Sequence, residues 1–189
     1  MMKLKQAYEL LNKSKKFREW LNEHNNCYLS HGFAMIDYNK NIEDYDEWQF
    51  GFYNVQSDKI TNFFVNYHSK DGYKNHNKRN ELNYEEGKDY DIKISKELDI
   101  LKESNKIIDR LEIKRVKIEC TNADRISHDI INEHYPNIKP LKKIFILQNL
   151  KGLGNIWNIT IVDKSLNTVN IKIDAISGEV KYHDMKSLI

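Results

Sequence analysis

No apolar run in the sequence exceeds the four residues Ile144 to Leu147, far short of the roughly 18 that cross a bilayer, so no membrane span is expected. The stretch from Met1 to Trp20 lacks a continuous apolar segment and a small-residue cleavage site. A signal peptide is therefore not expected, and the expected location is cytoplasmic. Cysteine is scarce: Cys27 and Cys120 could form at most one bridge and read as ordinary buried thiols in a reducing compartment. An excess of one charge is missing too, because 30 Lys and Arg nearly balance 28 Asp and Glu, leaving a net charge of +2. Obligate nucleic-acid binding is not expected from so weak a global field.

What is present suffices for a folded core. Leu, Ile, Val and Phe supply 51 of 189 residues, about a quarter of the chain and above the range of disordered sequences. Leu4, Ala7, Tyr8, Leu11, Phe17, Trp20 and Leu21 recur at three- and four-residue steps, so Lys3 to His24 reads as an amphipathic helix. Cys27 to Tyr38 reads as a strand, followed by the acidic loop Glu43, Asp44, Asp46 and Glu47. Trp48, Phe50 and Phe52 alternate with polar or small residues, and Thr61 to Tyr67 follows as the second arm of a β-hairpin. His68 to Asp89 has no sustained period and reads as a long loop. Ser95 is placed to cap a helix carrying Leu98, Leu101, Ile108 and Leu111 on one face. Lys114 to Cys120 alternates as a strand would, with continuation of the preceding helix as the alternative, and Asn122 to His134 has helical spacing that Tyr135 and Pro136 stop. Leu141 to Leu150, Ile156 to Val162 and Thr168 to Asp174 read as three strands, joined by turns at Gly152 to Asn155 and Asp163 to Asn167.

An offset of 109 residues relates the two ends of the chain. It carries Phe17 to Ile126, Leu21 to Ile130, Ile36 to Phe145, Tyr38 to Leu147, Trp48 to Trp157, Phe50 to Ile159, Phe52 to Ile161, Ile60 to Val169 and Phe64 to Ile173. Two copies of one helix-and-sheet unit would preserve such inward-facing positions. The expected fold is therefore α+β, with two tandem units related by duplication, each a helix on an antiparallel sheet. The first unit spans residues 1–80, a linker 81–94 and the second unit 95–189.

Trp157-Asn158-Ile159-Thr160-Ile161-Val162, then Val169-Asn170-Ile171-Lys172-Ile173 running into Asp174-Ala175-Ile176-Ser177-Gly178-Glu179-Val180, resembles the PepSY domain over about residues 122–182. In the closing turn, Gly178 is free to take positive φ and Val180 begins a return strand. The resemblance implies a helix preceding an antiparallel sheet and a binding or inhibitory role, and it brings no catalytic residues. The first half lacks the closing turn, having His68-Ser69-Lys70-Asp71-Gly72 instead.

Catalytic constellations are thin. His128 and His134 are six residues apart on one helix and so point in different directions. Asp129 and Glu133 share a face without completing a His-Glu-x-x-His pattern. His68, His76 and Asp71 fall in one loop, and Cys27 with His31 or Cys120 with His128 are the available thiol and imidazole pairs. Lys151-Gly152-Leu153-Gly154 is a hairpin loop, because the third glycine and following helix of a dinucleotide site are absent. The basic clusters Lys13, Lys15, Lys16, Arg18 and Lys139, Lys142, Lys143, Lys151 read as solvated faces. No cofactor and no metal are expected. The reading is a non-catalytic protein-binding or regulatory module, with Asp44, Asp46, Glu47 and Trp48 as the partner contact. Its rival is a small metal-dependent hydrolase using His31, His68, His76 or His128 in a cleft between the halves. The expected partner is a protein or peptide, and self-association stays open.

Overall fold

A computed structural model describes residues 3–41, 47–67, 90–100 and 108–187. The predicted N-terminal helix is two helices, α1 (Leu4–Lys13) and α2 (Lys15–Glu23). Ser14 divides them: its backbone is extended, and its hydroxyl accepts the Phe17 amide proton as an N-cap. Leu4, Ala7 and Leu11 of α1 and Phe17 of α2 are buried, as the spacing predicts.

Among the described residues nine strands follow, β1 (Cys27–Asp37), β2 (Glu47–Asn54), β3 (Lys59–Tyr67), β4 (Tyr90–Ile94), β5 (Leu98–Asp99), β6 (Pro140–Leu150), β7 (Gly154–Asp163), β8 (Asn167–Asp174) and β9 (Val180–Ser187). They form one antiparallel sheet in the order β4-β3-β2-β1-β6-β7-β8-β9, with β5 also pairing β3. The two halves thus share a sheet through β1 and β6. The last five residues of the expected linker 81–94, Tyr90 to Ile94, read from the sequence as a short strand, form β4, and residues 81–89 lie outside the described residues.

Between β5 and β6 the chain departs from expectation. The helix expected after Ser95 is absent from the described residues there: Leu98–Asp99 is a strand, and Ile108 to Glu112 is irregular. Ser95 does not cap a helix; its hydroxyl accepts the Asn62 amide proton, tying this stretch to β3. The strand expected at 114–120 is also absent. Ile113–Arg115 is a 3-10 turn, and Cys120 opens α3 (Cys120–His134). The alternation of Val116, Ile118 and Cys120 is satisfied without strand pairing, because Lys117 and Ile118 both donate to the Ala175 carbonyl.

Strand partners opposite one another share a face of the sheet. Trp48, Phe50 and Phe52 stand opposite Val65, Phe63 and Thr61, and Trp157, Ile159 and Ile161 opposite Ile173, Ile171 and Val169. This is the face that the helices cover. Tyr8 of α1 packs 5.4 Å from Phe50, Phe17 of α2 lies 5.0 Å from both Phe52 and Phe63, and Asp124 of α3 reaches Lys143 on β6. One contiguous core joins residues of all three helices and both halves of the sheet. Full burial of each large apolar side chain contributes about 1.5 to 3 kcal/mol.

The strand registers refine the offset of 109. Gly32 faces Phe50 and Phe145 faces Ile159, so while β2 maps to β7 with a step of 109 (50 to 159), β1 maps to β6 with a step of 113 (32 to 145). Phe50 faces Phe63 and Ile159 faces Ile171, so β3 maps to β8 with a step of 108 (63 to 171). Four of the nine pairings therefore shift. Ile36 and Tyr38 are displaced four residues along the strand from the places of Phe145 and Leu147. Ile60 and Phe64 lie on the uncovered face, whereas Val169 and Ile173 lie under the helices. A one-residue difference in the connecting turn turns every side chain of a strand over.

Candidate functional site

Of the four residues expected to contact a partner, Asp44 and Asp46 lie outside the described residues. Glu47 and Trp48 are neighbours on β2 and so point to opposite faces. Trp48 is 2% exposed within the core and offers no surface to a partner, which corrects its expected role. Glu47 lies on the uncovered face and is half-buried. Burial pushes its carboxyl above the ordinary value; Lys93 opposes the rise and Asp91 adds to it.

No described helix packs on that uncovered face. At its centre Phe33 stands opposite Ile146 and Met35 opposite Ile144, across the β1–β6 seam. The Phe33 row runs outward through Gln49 and Phe64 to Lys93 on one side, and through Asn158 to Lys172 on the other. An apolar strip thus runs down the middle, with polar and charged residues on the outer strands. Met35 is 42% exposed, whereas Phe33, Phe64, Ile144 and Ile146 are partly buried.

One row along, His31 is packed flat against Gly51. A β-carbon on Gly51 would fall 2.0 Å from His31 Cε1, so only glycine leaves room for the imidazole. Ser30, the extra residue where the β1–β2 register shifts, donates its hydroxyl proton to the Gly51 carbonyl at 2.9 Å. Its oxygen lies 3.0 Å from His31 Nδ1, and because that one hydroxyl proton is already committed, Nδ1–H is the donor. Burial lowers the His31 pKa to about 4, which keeps the ring neutral. On the adjoining strand the Asn62 Oδ1 and Asn66 Nδ2 atoms are buried without a hydrogen-bond partner.

The thiols and the remaining histidines are separated. Cys27 and Cys120 are both free and buried, with burial raising each pKa, Cys120 well above its ordinary value. His128 lies 3.5 Å from the Tyr38 hydroxyl, and His134 stacks on His183 at 4.6 Å while the Tyr135 hydroxyl meets His183 Nδ1 at 2.8 Å. His68, His76 and Asp71 lie outside the described residues. Among the described residues, no three His, Cys, Asp or Glu side chains are grouped to hold a metal ion, and no helix is long and apolar enough to cross a membrane. Lys143, read from the sequence as part of a basic surface cluster, is 2% exposed. Its ammonium sits 2.9 Å from both carboxylate oxygens of Asp124.

A groove lies on the helical side. The Lys5, Tyr8, Glu9, Asn12 and Lys13 face of α1 and the Ile113–Lys114 turn enclose its volume of about 340 Å³. Neither groove nor uncovered face was singled out by the sequence. The apolar residues that mark the face alternate with core residues on β1 and β6, and the groove joins residues more than 100 positions apart.

No family model, curated protein or solved structure matches this chain. The arrangement of its own residues therefore carries the functional reading.

Proposed function

We propose that the chain is a non-catalytic binding module that receives a protein partner on the uncovered face of its sheet. The supporting observation is the strip of Phe33, Met35, Ile144 and Ile146, apolar side chains that no described helix covers, although each of the three described helices packs on the opposite side. Contiguous apolar surface of this kind is the ordinary mark of a protein contact. Charge specifies the partner further. Glu47, half-buried with a raised pKa, stands on this face, as does Asp91 on β4, and the sequence places Glu43, Asp44 and Asp46 just before Glu47. Asp91 is already paired with Lys93 at 3.9 Å, so a partner presenting an apolar ridge with one lysine or arginine placed against Glu47 meets both features.

The two halves are read as diverged copies of one PepSY-like unit. The palindromic strand order about β1 and β6 supports this, as does the closing turn of the second half. There Gly178 has φ of 80°, and Asp174 Oδ1 accepts the amide protons of Ile176 and Ser177.

The test is native isolation of the wild-type protein and of a Met35→Glu, Ile144→Glu double variant from the protein's own host, with co-isolated protein quantified. Recovery of the wild-type partner is expected to fall about tenfold or more at an unchanged unfolding midpoint, with a smaller fall for Glu47→Lys. Equal recovery from a folded double variant would overturn the proposal.

A further inference from the structure

We propose that the groove between α1 and the Ile113–Lys114 turn is a binding site for a small amphipathic anion, an aromatic or acyl carboxylate, independent of the sheet face. Its geometry follows from α1. Leu4, Ala7 and Leu11 point into the core, so Lys5, Tyr8, Glu9 and Asn12, at steps of three and four, form the adjoining stripe that lines the groove. Across from them Ile113, 7% exposed, supplies an apolar wall with Lys114 beside it. A volume of about 340 Å³ lies within the size range of small-molecule sites.

The polar groups at this groove are mainly cationic. Lys13 and Lys114 are exposed and make no ion pair among the described residues, leaving two ammonium groups available to a ligand. Lys5 is already held: its ammonium donates to the Val116 carbonyl at 2.6 Å and lies 3.9 Å from Glu119, which braces the far wall. Glu9 is the single carboxylate in the lining, against three lysines. Tyr8 connects groove to core, with its ring 5.4 Å from Phe50 and its hydroxyl pKa raised by burial, an effect that Asn12 and the nearby Arg110 charge oppose. An apolar wall with lysines at its rim fits a flat or extended apolar body ending in a carboxylate. A neutral ligand of the same shape leaves the two free ammonium groups without a partner.

The test titrates the full chain, labelled for amide NMR, with naphthalene-2-carboxylate and separately with the neutral naphthalene-2-methanol. Saturable shifts are expected at Tyr8, Asn12, Ile113 and Lys114, with the carboxylate binding about tenfold more tightly than the alcohol. The Lys13→Gln, Lys114→Gln double variant changes only exposed side chains and is expected to keep the fold while losing that preference. Equal affinity for acid and alcohol in the wild type, or saturable shifts confined to the sheet, would overturn the assignment, as would no saturable shift at millimolar ligand. The wild-type comparison decides by itself if the variant fails to fold.

Discussion

Phe33 and Ile146 face each other across the β1–β6 seam, and around them the pairing of β1, β2 and β3 matches that of β6, β7 and β8 up to the register shift beside Ser30. One step to either side, Gly32 faces Leu147 and Ala34 faces Phe145, and Gly32 and Phe145 hold matching places against Phe50 and Ile159. A pseudo-two-fold axis through this pair and normal to the sheet carries β1, β2 and β3 onto β6, β7 and β8. The apolar strip on the uncovered face is therefore built by both halves together, where neither alone would make it.

Gly51→Ala is expected to destabilise the protein by about 1 to 3 kcal/mol, because the new methyl collides with the His31 ring. In a His31→Ala background the same change should cost little, since the obstacle is gone. A double-mutant cycle from urea unfolding measures the coupling. Additive costs would contradict the contact.

The His31 pKa of about 4 lies below its ordinary 6.5, so between those values the unfolded chain binds more protons than the folded one. The contribution of His31 is thus fully present above pH 6.5 and declines as the pH falls toward 4. It reaches roughly 3 kcal/mol in all. Unfolding free energies measured from pH 8 to pH 4 should fall less steeply for His31→Asn than for the wild type. Parallel profiles would show that the ring is not held neutral by the fold.

Asp124→Ala should cost about 3 to 5 kcal/mol, because it leaves the Lys143 ammonium buried without its counter-ion. Lys143→Met in the Asp124→Ala background should recover much of that loss, since two buried charges are then replaced by apolar volume. Thermal unfolding of the three proteins decides, and an unaltered midpoint in Asp124→Ala would contradict the buried pair.

Trp48→Ala and Trp157→Ala should each cost about 3 to 5 kcal/mol, both side chains being almost fully buried at matching places on β2 and β7. Trp157→Phe retains most of the burial but removes the indole donor to the Ile118 carbonyl, at a further cost of about 1 to 3 kcal/mol. Wild-type-like denaturant midpoints in both alanine variants would contradict this account of the core.

Periodicity made most of this fold legible. The strands at Cys27, Trp48, Thr61, Leu141, Ile156 and Thr168 and the helix ending before Pro136 are where their spacing puts them, because each presents one apolar face to a single core. The spacing could not show Ser14 breaking the first helix, since residues on both sides of the break still reach the core. It also misread Val116, Ile118 and Cys120, whose alternation reflects burial beneath the sheet's end and not strand pairing. Trp48 looked like a contact residue beside its acidic loop, but a residue's face depends on register, and Glu47 took the outward position. Lys143 resembled its charged neighbours because its partner, Asp124, lies on a different element and only the fold brings them together.

The uncovered face of the sheet is the proposed protein-contact surface. The most direct measurement places a photo-crosslinking benzoylphenylalanine at Met35, and in a second protein at the exposed Arg18 of α2, with irradiation in the protein's own host. A protein adduct from Met35, and little from Arg18, is the predicted result. No adduct from Met35, or equal yields from the two positions, would contradict it.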